Sequence, residues 1–307
     1  MLIVAALGGN ALMKRGEPMT AANQRTNIRG AALALADVIA EGHMLVITHG
    51  NGPQVGLLTM QAAATPEEGQ FPLDVLDAES AGMIGYVIEQ ELGNVLKDRR
   101  FATLLTQVKV DPGDPAFSTP TKPIGPMYDE AAARALATTR HWRIAADGSG
   151  WRRVVPSPKP VTILGTEVIR MLVEHDVIVI CTGGGGIPVV EKPDGSLVGV
   201  EAVIDKDLAS ALLARQLRAD ALLMLTDVDA VYADYGTAHA RKLETIDAGT
   251  VKAADFASGS MGPKIAAAAE FAQTTGKSAF IGSLGDAVAI LQGEEGTRIG
   301  VGANSEP

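Results

Sequence analysis

Three short apolar runs each end in a cluster of glycines. Residues 2–7 run into Gly8-Gly9, 44–48 into Gly50-Asn51-Gly52, and 177–181 into Gly183-Gly184-Gly185-Gly186. An unbroken apolar run of this length suits a strand covered on both faces, the usual state of strands in a parallel sheet. Segments of helical spacing lie between the runs. Ile28, Ala31, Ala32, Leu35, Val38 and Ile39 recur at three- and four-residue intervals, and Gly42 closes that segment. A second helix is expected over 73–97 and a third strand over 102–108. The alternation returns later, with helices over 164–174, 205–217 and 264–274, a strand over 221–226, and closing strands over 278–281 and 297–301. This rhythm predicts an α/β fold: a three-layer sandwich with a mostly parallel central sheet.

The rhythm breaks between 111 and 160. Half of the 16 prolines fall there, as do both tryptophans, Trp142 and Trp151. Proline does not fit a central strand or a helix interior, and Asp147-Gly148 is a hairpin-type turn. The stretch reads as an inserted, protruding lid with one short helix over 129–137. A disordered linker is the alternative, but the tryptophans and apolar clusters oppose it. The two halves carry separate motif sets, so two lobes on one sheet are expected, about 1–200 and 201–307.

Bulk properties narrow the partners. A single cysteine, Cys181, leaves no internal disulfide and no cysteine-based zinc site. A formal charge of −10 disfavours a nucleic-acid surface. No apolar run reaches membrane-span length, and Met1 to Gly8 shows no basic leader. A cytoplasmic protein without membrane or nucleic-acid partners is expected.

Two tempting motifs fail. Gly276-Lys277-Ser278 resembles the end of a P-loop, but Phe271 stands where the first glycine belongs. The 183–188 segment lacks the third glycine of a dinucleotide fingerprint. What remains is three glycine turns on one sheet edge, where ligands of open α/β sheets bind and where backbone amides can meet anionic oxygens. Lys206, in Ile204-Asp205-Lys206-Asp207, and Lys264, in Gly262-Pro263-Lys264, both stand where helices begin. A cation there opposes the helix dipole, so a phosphate ligand explains them better than local stability does. Lys122 stands alone in the proline-rich insertion. Asp227, Val231 and Tyr232 follow a buried strand; they read either as the edge of a purine pocket or as an Asx-turn that only reverses the chain. The five histidines show no metal spacing, and Cys181 reads as buried and inert.

Taken together, these motifs closely resemble the carbamate kinase family, within the amino-acid kinase fold. The match runs through Gly8-Gly9-Asn10-Ala11 with Arg15-Gly16, His49-Gly50-Asn51-Gly52-Pro53, Thr121-Lys122-Pro123-Ile124-Gly125-Pro126, Arg152-Arg153-Val154-Val155-Pro156, Thr182 to Pro188, Ile204 to Ala209, Leu225 to Tyr232 and Gly259 to Lys264. The resemblance implies reversible phosphoryl transfer between ATP and carbamate, with magnesium and without a tightly bound cofactor. It also implies a homodimer that often makes ATP from carbamoyl phosphate during arginine breakdown. Lys206 and Lys264 match the lysines on the transferring group, Asp207 the acid that orients them, and Lys122 the lid lysine. Gly8, Gly9, Asn10, Gly50, Asn51, Gly52, Gly184 and Gly185 match the substrate and phosphate turns. Asp227, Val231, Tyr232 and Met261 fall in the nucleotide motifs. No metal ligand is identified. Thr119 and Met127 depart from the pattern, standing where an asparagine and an aromatic are expected. Three rivals stay open: a kinase for a longer acylated acid, a catalytically silent ligand sensor, and a variant working in the opposite physiological direction.

Overall fold

The computed structural model describes residues 1–13, 17–64, 69–256 and 261–302. Arg15 and Gly16 of the first motif and Gly259 and Ser260 of the last lie outside the described residues, as does the side chain of Asn10. The chain opens with β1 (Leu2–Leu7), α1 (Gly9–Leu12), α2 (Ala21–Ala40), β2 (Met44–His49), α3 (Gly52–Ala63), α4 (Leu73–Val95), β3 (Arg100–Thr103) and β4 (Gln107–Val110). The insertion holds β5 (Lys122–Tyr128), α5 (Glu130–Arg140), β6 (Arg143–Asp147) and β7 (Gly150–Val155), and β8 (Pro160–Ile163) brings the chain back. Next come α6 (Thr166–Glu174), β9 (Val177–Ile180), β10 (Ile187–Glu191), β11 (Leu197–Gly199), α7 (Lys206–Leu217) and β12 (Ala221–Thr226). The chain closes with β13 (Val231–Ala233), β14 (Arg241–Leu243), β15 (Thr245–Asp247), α8 (Met261–Thr275), β16 (Ser278–Ser283), α9 (Ala287–Gln292) and β17 (Thr297–Gly300).

The central sheet runs β15-β17-β16-β12-β1-β2-β9-β3. Every neighbouring pair is parallel except β16 with β17. The two-residue period of β1 sorts its side chains between two cores. Ile3, Ala5 and Leu7 join Ile28 and Leu35 of α2 and Ile84 and Ile88 of α4. Val4 and Ala6 join Leu213 of α7 and Ile265 and Phe271 of α8. Each fully buried large aliphatic side chain of this kind contributes roughly 1.5–3 kcal/mol. Thus β1 is the spine that carries the Gly8 turn to the middle of the sheet edge, with helices over both faces.

The expected strand over 102–108 is instead two strands in two sheets. β3 ends at Thr103, and β4 pairs with β10 and β8 in a second, four-stranded sheet. The crossing is made by 104–106, where Leu104 N–H donates to Ile180 O and Thr106 Oγ1 accepts from Thr182 N–H. The segment contains no glycine or proline to mark the break. Helix α3 was hidden by its Gly52-Pro53 start, which reads as a turn; proline is well placed in a first helical turn.

Residues 122–155 form their own sheet, β5-β7-β6, with α5 capped by Asp129 Oδ1, which accepts from Ala132 N–H at 2.8 Å. Pro123 and Pro126 sit inside β5, an edge strand with a single neighbour, where missing N–H groups are tolerated. Met127 packs over Gly150. The lid is seated on the body. Ile124 and Val155 join Val55, Leu73, Leu76 and Val203 in a separate apolar cluster. Gly125, at φ +74°, approaches Gly56 so closely that a Cβ on Gly56 would lie 2.8 Å from the Gly125 Cα.

Candidate active site

The Gly8, Gly50 and α7 segments converge at the C-terminal end of β1. Gly8 N–H donates to Leu225 O at 2.8 Å, and Gly50 N–H to Leu7 O at 3.2 Å. Lys206, the first residue of α7, donates from Nζ to the same Leu7 carbonyl at 3.0 Å. Helix α7 is fixed there by its Asp205 cap, whose Oδ1 accepts from Asp207 N–H at 2.9 Å. It is also held by Ser210 Oγ, 2.6 Å from Thr48 Oγ1 at the end of β2.

Asp207 is the hub. Its Oδ2 accepts from Lys264 Nζ at 3.0 Å, and its Oδ1 lies 3.3 Å from Lys206 Nζ, an ion pair without hydrogen-bond alignment. The buried ammonium of Lys264 and the partly buried one of Lys206 thus share one buried carboxylate. Burial pushes the Lys206 pKa down; Asp207 opposes this, and the Lys264 charge adds to it. The local excess of positive charge, beside the starts of α1 and α3, fits an anion.

Two cavities meet at this hub. One, of about 680 Å³, is walled by Gly8, Gly9, Gly52, Pro53, Pro123 and Arg152, among others. The second, of about 440 Å³, is lined by Val228, Ala230, Tyr232, Tyr235, Phe256 and Met261, among others. Thr226, Asp227 and Lys264 belong to both walls. The lid closes the first cavity with Pro123, Gly125 and Pro126. Lys122 donates from Nζ to Asp205 Oδ2 at 2.8 Å. Burial pushes the Asp205 carboxyl up, but Lys122 and the amides of Asp207 and Leu208 outweigh it and hold it below its ordinary range.

Most of the residues singled out from sequence gather here, and some do not. Gly184 and Gly185 are buried behind the site, backing Asn51 and Ile204. The Asn51 side chain points inward, to Asp77 and Ser80. Val231 is fully buried in the core rather than on the nucleotide wall, while Tyr232 and Met261 are on it. His49 is buried and its pKa lowered to about 4 by desolvation, so its ring is neutral; Nδ1 donates to Gly50 O at 3.0 Å. Cys181 is buried, its thiol pushed up to about 12 by desolvation. Tyr235 and Phe256 carried no sequence signal, because the β13–β14 hairpin and the segment before α8 bring them together. Arg152 lay within a quoted motif but was given no role. Its Nε and Nη2 both donate to Gly125 O, at 3.0 and 2.7 Å, clamping the lid tip. Among the described residues no group of three or more His, Cys, Asp or Glu is placed to hold a metal ion, and no helix is long and apolar enough to cross a membrane.

A glycine-turned sheet edge with two lysines joined by a buried aspartate defines a phosphoryl-handling site, and comparison with known proteins agrees. Residues 1–283 match the amino acid kinase family, and the chain belongs to it. Within that family it falls among the carbamate kinases. It is 54% identical to the carbamate kinase of Haemophilus influenzae over 300 residues, 97% of this chain and 96% of that protein. The structure of carbamate kinase from Giardia lamblia bound to AMP-PNP superposes with a TM-score of 0.88 at 44% identity, covering 97% of this chain and 98% of that one. The same enzyme bound to citric acid gives 0.90 at 43%, covering 97% of each.

Proposed function

We propose that this chain catalyses ATP + carbamate = ADP + carbamoyl phosphate. The observation that carries the reading is Lys264, on the wall common to both cavities and tied through Asp207 to Lys206. ADP or ATP occupies the cavity edged by Tyr232, Tyr235 and Met261, on the 201–307 lobe. The carbamoyl group occupies the glycine-walled cavity of the other lobe, beneath the lid. In the ATP-forming direction a β-phosphate oxygen of ADP attacks phosphorus, a new P–O bond forms, and the P–O bond to carbamate breaks. Carbamate leaves with the electron pair, and no proton need move. Such transfer needs in-line positioning and stabilisation of charge on the equatorial oxygens. Lys206, Lys264 and the Gly8–Gly9 and Gly50–Gly52 turns supply these, and neutral His49 is not called on as a base.

Magnesium belongs to the reading as part of the nucleotide substrate. Asp227, on the shared wall, together with phosphate oxygens makes the oxygen-only donor set that this ion takes. A cytoplasmic setting belongs to it too, on the free Cys181 thiol. So does a homodimer: among the described residues β3 is the last strand of the central sheet, a groove of about 380 Å³ beside it is lined by Tyr86, Phe101 and Thr103, among others, and Tyr86 and Leu105 are exposed.

The decisive test mixes purified protein with ADP, magnesium and carbamoyl phosphate and measures ATP. Formation of ATP is expected, with no turnover of ATP and acetylated glutamate or aspartate. Absence of ATP formation by folded protein would overturn the reading.

A further inference from the structure

Asn51 occupies the cap position of α3, yet its side chain makes no cap hydrogen bond. Asparagine is among the strongest capping residues, so its diversion calls for a cause. The backbone of Asn51, at φ −139° and ψ 5°, is not in the extended cap conformation. Its amide is pulled the other way, into the protein. Nδ2 donates to Asp77 Oδ1 at 3.1 Å and to Ser80 Oγ at 2.8 Å, both on α4. Ser80 Oγ in turn donates to the Asp77 carbonyl at 2.9 Å. Behind them Gly184, at φ +70°, leaves the amide its space; a Cβ there would collide with it.

Asp77 is unusual in its own right. It is 2% exposed, and among the described residues its Oδ2 has no hydrogen-bond partner and it makes no ion pair with a cation. Burial pushes its carboxyl well above the ordinary range; the Asn51 bond opposes this, and the charges of Asp74 and Glu201 add to it. A half-satisfied buried carboxyl is destabilising, and leucine would suit an apolar site better. The return is at the other end of Asn51. Gly52 and Pro53, the next two residues, form the wall of the acceptor cavity, and the start of α3 there lacks a side-chain cap.

We infer that Asp77 is a positioning residue for the acceptor site: through Asn51 it holds the Gly50–Gly52 turn in its non-capping shape, leaving the first turn of α3 open to the anionic substrate. This rests on the proposed carbamate kinase reading. Without the Asp77 carboxyl, Asn51 keeps only its Ser80 bond and is freer to turn back over the α3 start, where it competes with substrate oxygens. Nothing links Asp77 to the nucleotide wall.

The test is steady-state kinetics in the ATP-forming direction on Asp77→Ala, Asp77→Asn and Asp77→Ala/Asn51→Ala, with wild type alongside. Asp77→Ala is expected to raise the carbamoyl phosphate KM about tenfold, within the range that a misplacement near 1 Å produces, with the ADP KM within about twofold of wild type. Asp77→Asn keeps an acceptor for Asn51 and should restore the KM. The double variant, which has no side chain to swing back, should recover part of the loss. A purely structural role would lower the active fraction, and so kcat, with both KM values unchanged. That outcome, or equal KM values in wild type and Asp77→Ala, would overturn the inference. Should Asp77→Ala fail to fold, Ser80→Ala takes its place and should raise the carbamoyl phosphate KM alone; an unchanged KM would overturn the inference. A wild-type enzyme that makes no ATP would instead refute the functional reading.

Discussion

At the scale of single residues, Lys206 and Lys264 differ from surface lysines in being largely withdrawn from solvent and sharing one carboxylate. On the proposed reading, their preorganised charge stabilises the transferring phosphoryl group. Lys206→Ala and Lys264→Ala should each lower kcat at least about a hundredfold, the scale of losing one preorganised donor, with unchanged circular dichroism. A near-normal rate in either folded variant would remove that lysine from the mechanism. Cys181→Ser should keep turning over, since the thiol is buried and, among the described residues, its side-chain partner is the Thr182 hydroxyl; inactivation of the folded variant would contradict this. Asp77 makes a stability prediction as well. Asn51 and Ser80 face it, with the charges of Asp74 and Glu201 nearby. Its folded-state pKa is raised, so as pH climbs past the ordinary carboxyl range the unfolded chain releases a proton that the folded chain keeps. Wild type therefore loses stability with rising pH in that window. Melting temperatures of wild type and Asp77→Asn should diverge from pH 5 to pH 8 in favour of the asparagine; a constant difference would show that Asp77 does not titrate this way.

Among the elements, the lid is the one whose seat can be tested. Its tip meets α3 backbone to backbone at Gly56 and Gly125, so Gly56→Ala must push β5 away. That variant should raise the carbamoyl phosphate KM several-fold and speed proteolysis within 122–155, with ADP binding near normal; unchanged kinetics would mean that the seat does not matter. On the proposed reading, which places nucleotide in the cavity edged by Tyr232 and Met261, Lys122→Ala should lower turnover and weaken carbamoyl phosphate use while calorimetric ADP affinity holds. Equal loss of both would reject the assignment of Lys122 to the acceptor side. The elements also show what a sequence can convey. β1 and β2 were legible because burial on both faces leaves an unbroken apolar run that ends in glycine, α2 because burial on one face imposes a helical period closed by Gly42, and α7 because an aspartate stands at its start. The division between β3 and β4 was not, because strands of two different sheets can join through residues that are themselves apolar. Helix α3 and strand β5 were obscured by proline, whose tolerated positions in a first helical turn and at a sheet edge look like turns in one dimension. In the site, the lysines were legible because they oppose a helix dipole. Asp77 was not, since an acid outside every quoted motif looks like solvated surface until α4 is packed.

For the whole molecule, the open edge of β3 and the apolar side chains beside it are the surface most in need of cover. An unpaired strand edge with exposed large apolar neighbours favours association. Light scattering should give twice the chain mass for wild type, and Tyr86→Glu with Leu105→Asp should shift it to one chain mass; a wild-type monomer would place the homodimer in doubt. The single sheet running beneath both lobes has a different consequence. Lys264 lines both cavities, so on the proposed reading the phosphoryl group meets the same charge whichever side it starts from. Such a wall is a conduit, indifferent to the sense of flow. Substitutions along it can change how quickly the pools on either side come into balance, but never where that balance lies. Whether a cell containing this protein spends carbamoyl phosphate or accumulates it is therefore decided upstream and downstream, by whatever fills and empties those pools.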